Sequence, residues 1–401
     1  MEQSHPPGVD SPRAWVTAAT AFTACFTLFG VAYTFGAFFK PMGAEFGATR
    51  VPTSAVFSLT AAIYNLLGAP AGHLSDRWGP RPVVMAGALF MGVGLVLTSF
   101  IDRLWLGYLT YGIGVGVGVA CCYVPMLAMV SGWFARRRNT ALGIAVAGVG
   151  CGALVAPAAA ALIERYGWRH TYVVLGVASA LLLSVCALLS VRPPVHIRAT
   201  RARLGDALRS PSFAMLYVSS ILSSIAIYVP YVYLPEFAHD HGASPVAAAA
   251  LVAVIGGASV AGRLGLGTIA DRTGIIALYK ACTLALGLSY AVWMVTGAYA
   301  WLVIFALVMG AAYGGMVALA PAVVAELFGV QGMGAVLGTL YTSSSISALV
   351  GPPLAGLVID RSGSYVWAAV FAGLASVVGY LVIVPLRHAE PALAPRAAEA
   401  D

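Results

Sequence analysis

The sequence predicts an all-α membrane protein with twelve transmembrane helices in two six-helix bundles. Three observations predict it. Charged residues make up 9% of the chain and hydrophobic residues 60%, whereas soluble domains carry about 25% charged residues to cover their surface. The bilayer is therefore the main solvent. Twelve apolar stretches are long enough to cross it, at roughly 20 residues each. Finally, the octapeptide Gly72-His73-Leu74-Ser75-Asp76-Arg77-Trp78-Gly79 returns as Gly267-Thr268-Ile269-Ala270-Asp271-Arg272-Thr273-Gly274, 195 residues later in a chain of 401. A repeat at near half-length reads as two similar halves.

The spans fall at 14–39, 53–71, 82–100, 104–130, 140–162, 171–190, 213–235, 246–268, 277–296, 299–326, 334–359 and 365–386. The first is too long for the 7–15-residue core of a cleaved signal. Gly112, Gly114, Gly116 and Gly118 crowd the fourth, Gly148, Gly152 and Pro157 mark the fifth, and Gly351-Pro352-Pro353 with Gly356 mark the eleventh. In lipid, small residues let helix backbones approach, and prolines bend helices buried in a bundle. The Gly112–Gly118 run follows no strand and has the wrong spacing for a dinucleotide loop. A β-barrel would show alternating segments of about ten residues, and none appear. The halves are read as 14–190 and 213–386. The linker 191–212 carries five arginines and Pro193-Pro194, with a basic surface helix expected at about 200–209. Residues 1–13 and 387–401 are polar or Pro/Ala-rich tails.

The net charge of +7 does not point to nucleic acid, because of its distribution. With both termini in the cytosol, the inner segments hold fifteen basic residues, among them Arg136, Arg137, Arg138 and Arg192. The outer loops hold six: Lys40, Arg50, Arg103, Arg165, Arg169 and Arg361. The positive-inside rule selects that orientation. The six cysteines all sit inside spans without metal-ligand spacing, so neither a disulfide framework nor a metal site is expected. No nucleotide-binding loop or nucleophile–base pair is legible, so neither a cofactor nor an enzyme is expected.

The duplicated loops carry the first chemistry. Asp76 and Asp271 each end a span on the cytoplasmic side and are followed by Arg77 and Arg272, while Gly72, Gly79 and Gly267 permit close packing and turning. An acid so placed accepts from a neighbouring helix N-terminus or pairs with an arginine. Such contacts form in one conformation and break in another, which makes the loops, with Arg81, candidate latches.

Arg263 carries the second. It lies mid-way along the eighth span, eight residues before Asp271. That is about 12 Å at 1.5 Å per residue, too far to snorkel easily. A charge there costs about 2.5–3.5 kcal/mol. Its repeat equivalent is Gly68, and no acid lies in the middle of any span. Arg263 therefore needs an anion from outside, and a guanidinium fork matches a carboxylate with two parallel hydrogen bonds. Tyr33 and Tyr228, 195 residues apart, are the next candidates, followed by Tyr123, Tyr313, Asn65 and Tyr341. A tyrosine hydroxyl bonds a carboxylate or a 2-hydroxy group while its ring fills space. Tyr231 and Tyr233 lie nearer the outer end of their span and read as belt residues.

Gly72, Leu74, Asp76, Arg77, Gly79 and Arg81 resemble the loop signature of the major facilitator superfamily, and the likeness of twelve spans, two halves and a linker covers essentially the whole chain. The second copy has Ile276 in place of Arg81. The resemblance implies a place for this loop in the cytoplasmic gate. Asp10 and Ala14-Trp15 are similar to the N-terminal motif of monocarboxylate transporters, with Ser11, Pro12 and Arg13 where that motif has glycines and a tryptophan. Phe38-Phe39-Lys40 resembles the end of that family's first helix. Tyr123-Val124-Pro125, Trp133-Phe134-Ala135-Arg136-Arg137-Arg138, Ala141 with Gly143, Tyr166-Gly167-Trp168-Arg169 and Glu326-Leu327-Phe328-Gly329 resemble bacterial members of the monocarboxylate and oxalate/formate porter groups. The resemblance implies a carboxylate-binding role for Arg263. It also implies departures: Ser259 stands where many relatives have an acid, and Tyr33 near where animal relatives have a lysine. Tyr341-Thr342-Ser343-Ser344-Ser345 lacks the lysine that oxalate transporters carry there.

One cation suits one carboxylate. The expected function is secondary active transport of small monocarboxylates such as lactate or pyruvate, coupled to protons, with the halves rocking about a midplane site. The proton is expected on the substrate–Arg263 pair or on a histidine at the outer mouth, His239 or His241. The alternatives are an exchanger of organic anions, oxalate/formate-like or dicarboxylate, and a non-transporting membrane sensor on the same scaffold. The expected partners are a small carboxylate, protons and lipid. A monomer in a bacterial cytoplasmic (inner) membrane, both termini inside, is expected.

Overall fold

The computed structural model describes residues 10–192, 194, 204–295, 297–328 and 333–386. Among the described residues, eleven stretches are long and apolar enough to cross a bilayer, and one of them, Thr140–Leu189, is 50 residues long. At 1.5 Å per residue that is more than twice the roughly 30 Å hydrocarbon core. Its helix is interrupted at Gly167, where φ is 79° and ψ 160°, so it crosses twice and the total is twelve. In order these are α1 Pro12–Glu45, α2 Arg50–Trp78, α3 Pro80–Thr98, α4 Leu104–Trp133, α5 138–166, α6 168–189, α7 Pro211–Asp240, α8 Pro245–Thr273, α9 Ile275–Val295, α10 Tyr299–Phe328, α11 Met333–Ser362 and α12 Tyr365–Ile383. α1 bends at Thr34, α4 contains a π-helical turn at Tyr108–Ile113, and α5 is interrupted at residues 153–154. Residues 193 and 195–203 of the expected linker lie outside the described residues, and Leu204–Arg209 forms a short helix.

The repeat is visible in the backbone. Among the described residues, the six glycines at positive φ form three pairs: Gly47 with Gly242, Gly79 with Gly274, and Gly167 with Gly363. The separations are 242 − 47 = 195, 274 − 79 = 195 and 363 − 167 = 196. Each pair makes the same connection in the two halves, after the first, second and fifth helix of each. Only glycine adopts those angles without a Cβ penalty.

Glycine also explains how the helices lie so close. Along α4, a Cβ on Gly112 or Gly116 would strike Leu59 or Ile63 of α2, and one on Gly114 or Gly118 would strike Gly94 or Met91 of α3. Residues four apart share a helix face, so the run seats α4 between two neighbours. In the second half, Gly310 and Gly314 lie against the backbone of Ile255 and Ser259, bringing α10 onto α8. α3 meets α6 at Gly92 and Gly176, and α9 meets α12 at Gly287 and Gly373. Ser210 and Ser244 start α7 and α8 by accepting from the amides of Phe213 and Ala247, ahead of Pro211 and Pro245 at the first helical position.

Candidate functional site

The two halves meet along α5–α8 and α2–α11. Gly150 of α5 and Gly256 of α8 touch backbone to backbone. That contact places Arg263, two turns further along α8, on the boundary. Its Nη1 donates across it to the carbonyl of Val146 in α5 at 3.0 Å. The Tyr313 ring lies 5.7 Å from the guanidinium carbon. Cys25, Tyr123, Tyr231 and Tyr341 lie within electrostatic reach of the charge. Arg263 is half-buried, no carboxylate pairs with it among the described residues, and its Nε is buried without a hydrogen-bond partner.

The candidate tyrosines gather around it. The Tyr33 and Tyr313 hydroxyls interact. Asn65 Nδ2 donates to the Tyr228 hydroxyl at 3.0 Å, joining α2 to α7. Tyr341 is 42% exposed, with Arg263 and Tyr313 nearby. Three further residues belong to the cluster. Tyr231 stacks on Tyr33 at 4.2 Å and 13°, closing the space between α1 and α7. Tyr64 interacts with Tyr228, and Phe29 packs edge-on against Tyr64 and Tyr123. Tyr231 and Tyr233 are thus not belt residues: they are 2% and 0% exposed, and Tyr233 donates to the Pro352 carbonyl at 2.9 Å. Tyr231 sits one turn from Tyr228, so the same helix face was the available signal. The hydroxyls after Tyr341 do different work. Thr342, Ser343, Ser344 and Ser347 bond to Tyr217, Ser220, Ser224 and the Ile221 carbonyl of α7, fastening α11 to α7.

On the face opposite the described chain ends, ionic contacts seal the halves together. Lys40 of α1 donates to Asp240 of α7 at 2.7 Å and contacts His239 at 3.1 Å. Arg50, the first residue of α2, pairs with Glu236 of α7 at 3.0 Å and Asp360 of α11 at 3.1 Å. Its backbone amide also donates to Asp360 at 3.2 Å, so a carboxylate from the second half caps a helix N-terminus of the first. Such caps are favourable because the first amides lack partners and the helix dipole attracts an anion. Arg50 Nη2 donates to the Tyr365 hydroxyl, which donates to Asp240 at 2.7 Å. α7 therefore runs past its expected end at residue 235, because Glu236 and Asp240 are neutralised by bases of the other half.

Asp360-Arg361-Ser362-Gly363 has the same acid–Arg–x–Gly pattern as Asp76 to Gly79 and Asp271 to Gly274, and Glu164-Arg165-Tyr166-Gly167 is a fourth copy. All four glycines have positive φ. The sequence reading found the two terminal-face copies and missed the two on the far face, although the same tetrad was the signal.

On the terminal face the loop residues stand apart. Asp76, Arg77 and Arg81 are exposed at the end of α2 and the start of α3, and Asp76 makes no ion pair or side-chain hydrogen bond among the described residues. Gly72 packs on Val124, and Arg192 lies beside Gly79 and donates to the Arg77 carbonyl. Arg272 is exposed, and the surroundings of Gly267 and the side chain of Asp271 lie outside what is described. Asp10 accepts from the amides of Ala135 and Arg136, and Trp15 meets Phe134 edge-on at 5.0 Å. The N-terminal motif and the α4–α5 segment therefore form one structure.

The family profile of the Major Facilitator Superfamily matches residues 20–299 and 278–401. The chain belongs to the Major Facilitator Superfamily. It is a multi-pass integral membrane protein of that superfamily's fold. It is similar to Monocarboxylate transporter 13 of Rattus norvegicus, 31% identical over 395 residues, covering 97% of this chain and 92% of the relative. It is likewise similar to Monocarboxylate transporter 11 of Homo sapiens, 31% identical over 403 residues, covering 96% and 85%. A fujikurins efflux protein of Gibberella fujikuroi is 32% identical over 333 residues, covering 80% and 70%. Among solved structures, a bacterial homolog to the human lysosomal transporter Spinster superposes with a TM-score of 0.71 at 17% identity, covering 94% of this chain and 97% of that one.

Proposed function

We propose that this chain is a secondary active transporter of small monocarboxylates, lactate- or pyruvate-like, working by alternating access and coupled to protons. The observation that carries the reading is Arg263: a half-buried cation on the boundary of the two halves, ringed by tyrosines, with a backbone carbonyl and a ring face as its described partners. A carboxylate supplies what it lacks, and one guanidinium matches one carboxylate. The monocarboxylate transporters among the relatives favour the same substrate class. Tyr33, Tyr123, Tyr228, Tyr313, Asn65 and Tyr341 shape the remainder of the site.

In this reading the terminal face is cytoplasmic, in accord with the excess of arginine there, and the structure is the inward-facing state. Gly72, Asp76, Arg77, Gly79 and Arg81, with Gly267, Asp271 and Arg272, form the gate that closes the terminal face in the other state. The bacterial inner membrane is proposed on the motif likenesses at Tyr123-Val124-Pro125 and Trp133 to Arg138 alone.

The buried Ser259, where the resemblance to monocarboxylate transporters implies an acid in many members, favours a second reading, exchange of one organic anion for another. Uptake of a labelled monocarboxylate panel into proteoliposomes separates the two. Symport gives uptake that rises with acid outside, and substrate addition then alkalinises the medium. Exchange gives uptake indifferent to the pH gradient and driven by an opposing anion gradient. No uptake of any monocarboxylate under either gradient overturns the substrate assignment.

A further inference from the structure

We propose that Glu236 is the proton-binding carboxylate of the far-face gate, and that protonating it releases Arg50 and opens that face. Glu236 is 7% exposed, yet only one of its oxygens is satisfied. Oε1 pairs with Arg50 Nη2 at 3.0 Å, while Oε2 is buried without a hydrogen-bond partner among the described residues. Arg50 Nε is likewise buried and unpartnered, so the pair makes one contact where the two groups have the atoms for a fork. Tyr365 lies beside Glu236 as well, but its hydroxyl donates to Asp240 at 2.7 Å.

A route for the proton lies beside it. A cavity of about 320 Å³ is lined by Glu236, Lys40, Glu164 and His239, together with Gly36 and Pro245. Lys40 is 49% and His239 40% exposed, and Glu164 is exposed, so the cavity reaches the far-face surface. The charged and titratable groups facing Glu236 are Arg50 of α2, Tyr365 of α12, and Tyr233 and Asp240 on its own helix. Asp360 of α11 reaches it through Arg50. Lys40, His239 and Glu164 face it across the cavity.

A proton taken up by the Glu236 carboxylate from the cavity side makes it neutral. Arg50 then loses one of its two anions and the α2–α7 seal weakens. Losing the proton restores the ion pair and the seal. A far-face acid signal thus reaches the gate without an acid mid-way along α8, where Ser259 stands. The gate half of this inference stands on the contacts alone. The expectation of acid-stimulated uptake rests on the transport reading above.

Hydrogen exchange on the full chain in lipid nanodiscs tests it, read at residues 36–57 and 230–240 and corrected for the intrinsic pH dependence. Wild type should exchange about tenfold faster at acidic than at neutral pH, as expected for an opening equilibrium that titrates. Glu236→Gln should exchange fast at both pH values, and Glu236→Asp should keep the response. Asp360→Asn should raise exchange at both pH values and still respond to acid. Thermal unfolding checks that each variant is folded. If Glu236→Gln still responds like wild type, or if His239→Gln abolishes the response, the assignment is overturned. In proteoliposomes, Glu236→Gln should give labelled-lactate uptake flat with outside pH while counterflow persists. If wild type moves no monocarboxylate, the transport reading falls and the exchange result still decides the gate.

Discussion

Asp360 and Asp76, acids of the same acid–Arg–x–Gly tetrad on opposite faces of this molecule, are in opposite states. On the far face, Asp360 caps the first amide of α2 and pairs with the Arg50 side chain. Glu236 and Asp240 hold Arg50 and Lys40 beside it. On the terminal face, Asp76 is exposed and unpaired among the described residues. The far face is itself uneven. Glu164, in the fourth tetrad, lines a cavity with Pro245 and Ala248 at the start of α8, so the seal is made on the α2–α11 side. Position in the repeat does not set the state of a tetrad, since equivalent loops in one chain differ. In the alternating-access reading proposed above, the arrangement of the halves does. Engagement at one face excludes engagement at the other when each acid can reach a helix end only by bringing the halves together there.

The largest effect on this balance is expected from Arg50→Gln, which leaves Glu236 buried with no opposite charge. Stranding a buried charge costs about 3 kcal/mol or more, roughly 100-fold in the equilibrium between the faces. Hydrogen exchange at the start of α2 and the end of α7 should rise accordingly, and unchanged exchange would remove Arg50 from the seal. Asp76→Asn acts at the other face. A charge-assisted contact is worth about 1.5 kcal/mol or more, so transport should slow about tenfold while binding holds. Binding and uptake measured on one preparation decide it, and an unchanged uptake rate denies the latch. Tyr228→Phe removes the hydroxyl that accepts from Asn65 across the boundary. It should cost about 1 kcal/mol, read as a few-fold shift in the same exchange experiment. Lys40→Ala should matter least. Both members of its pair with Asp240 are partly exposed, so the loss should stay below about 1 kcal/mol and fade with added salt.

What could be read from the sequence followed what repeats locally. Twelve spans, the duplicated loop and Arg263 are legible because length, an eight-residue pattern and a lone mid-span charge are properties of neighbouring residues. The fifth and sixth spans were separable because Gly167 ends a helix between two apolar runs. The far-face seal was not legible in the same way. Lys40 and Asp240 are 200 residues apart and Arg50 and Asp360 are 310, so nothing in the order of the chain announces their pairing. Glu236 fell just past the seventh span because that span was expected to end at 235. A helix extends past its apolar run when another segment neutralises the charges that follow. Tyr231 and Tyr233 read as belt residues because depth along a span was visible and the facing helix was not.

The central claim is that Arg263 holds the carboxylate between the halves. Calorimetric titration of the purified protein with a panel of lactate-like monocarboxylates, in wild type, Arg263→Ala and Arg263→Lys, tests it most directly. Losing a bidentate charged contact from a partly dry site should cost about 2–5 kcal/mol, roughly 30-fold or more in affinity. Saturable binding in wild type, none measurable in Arg263→Ala, and weak binding in Arg263→Lys, which keeps the charge and loses the planar fork, is the result this account predicts. Wild-type affinity in a folded Arg263→Ala would contradict it, because the carboxylate would then be held elsewhere.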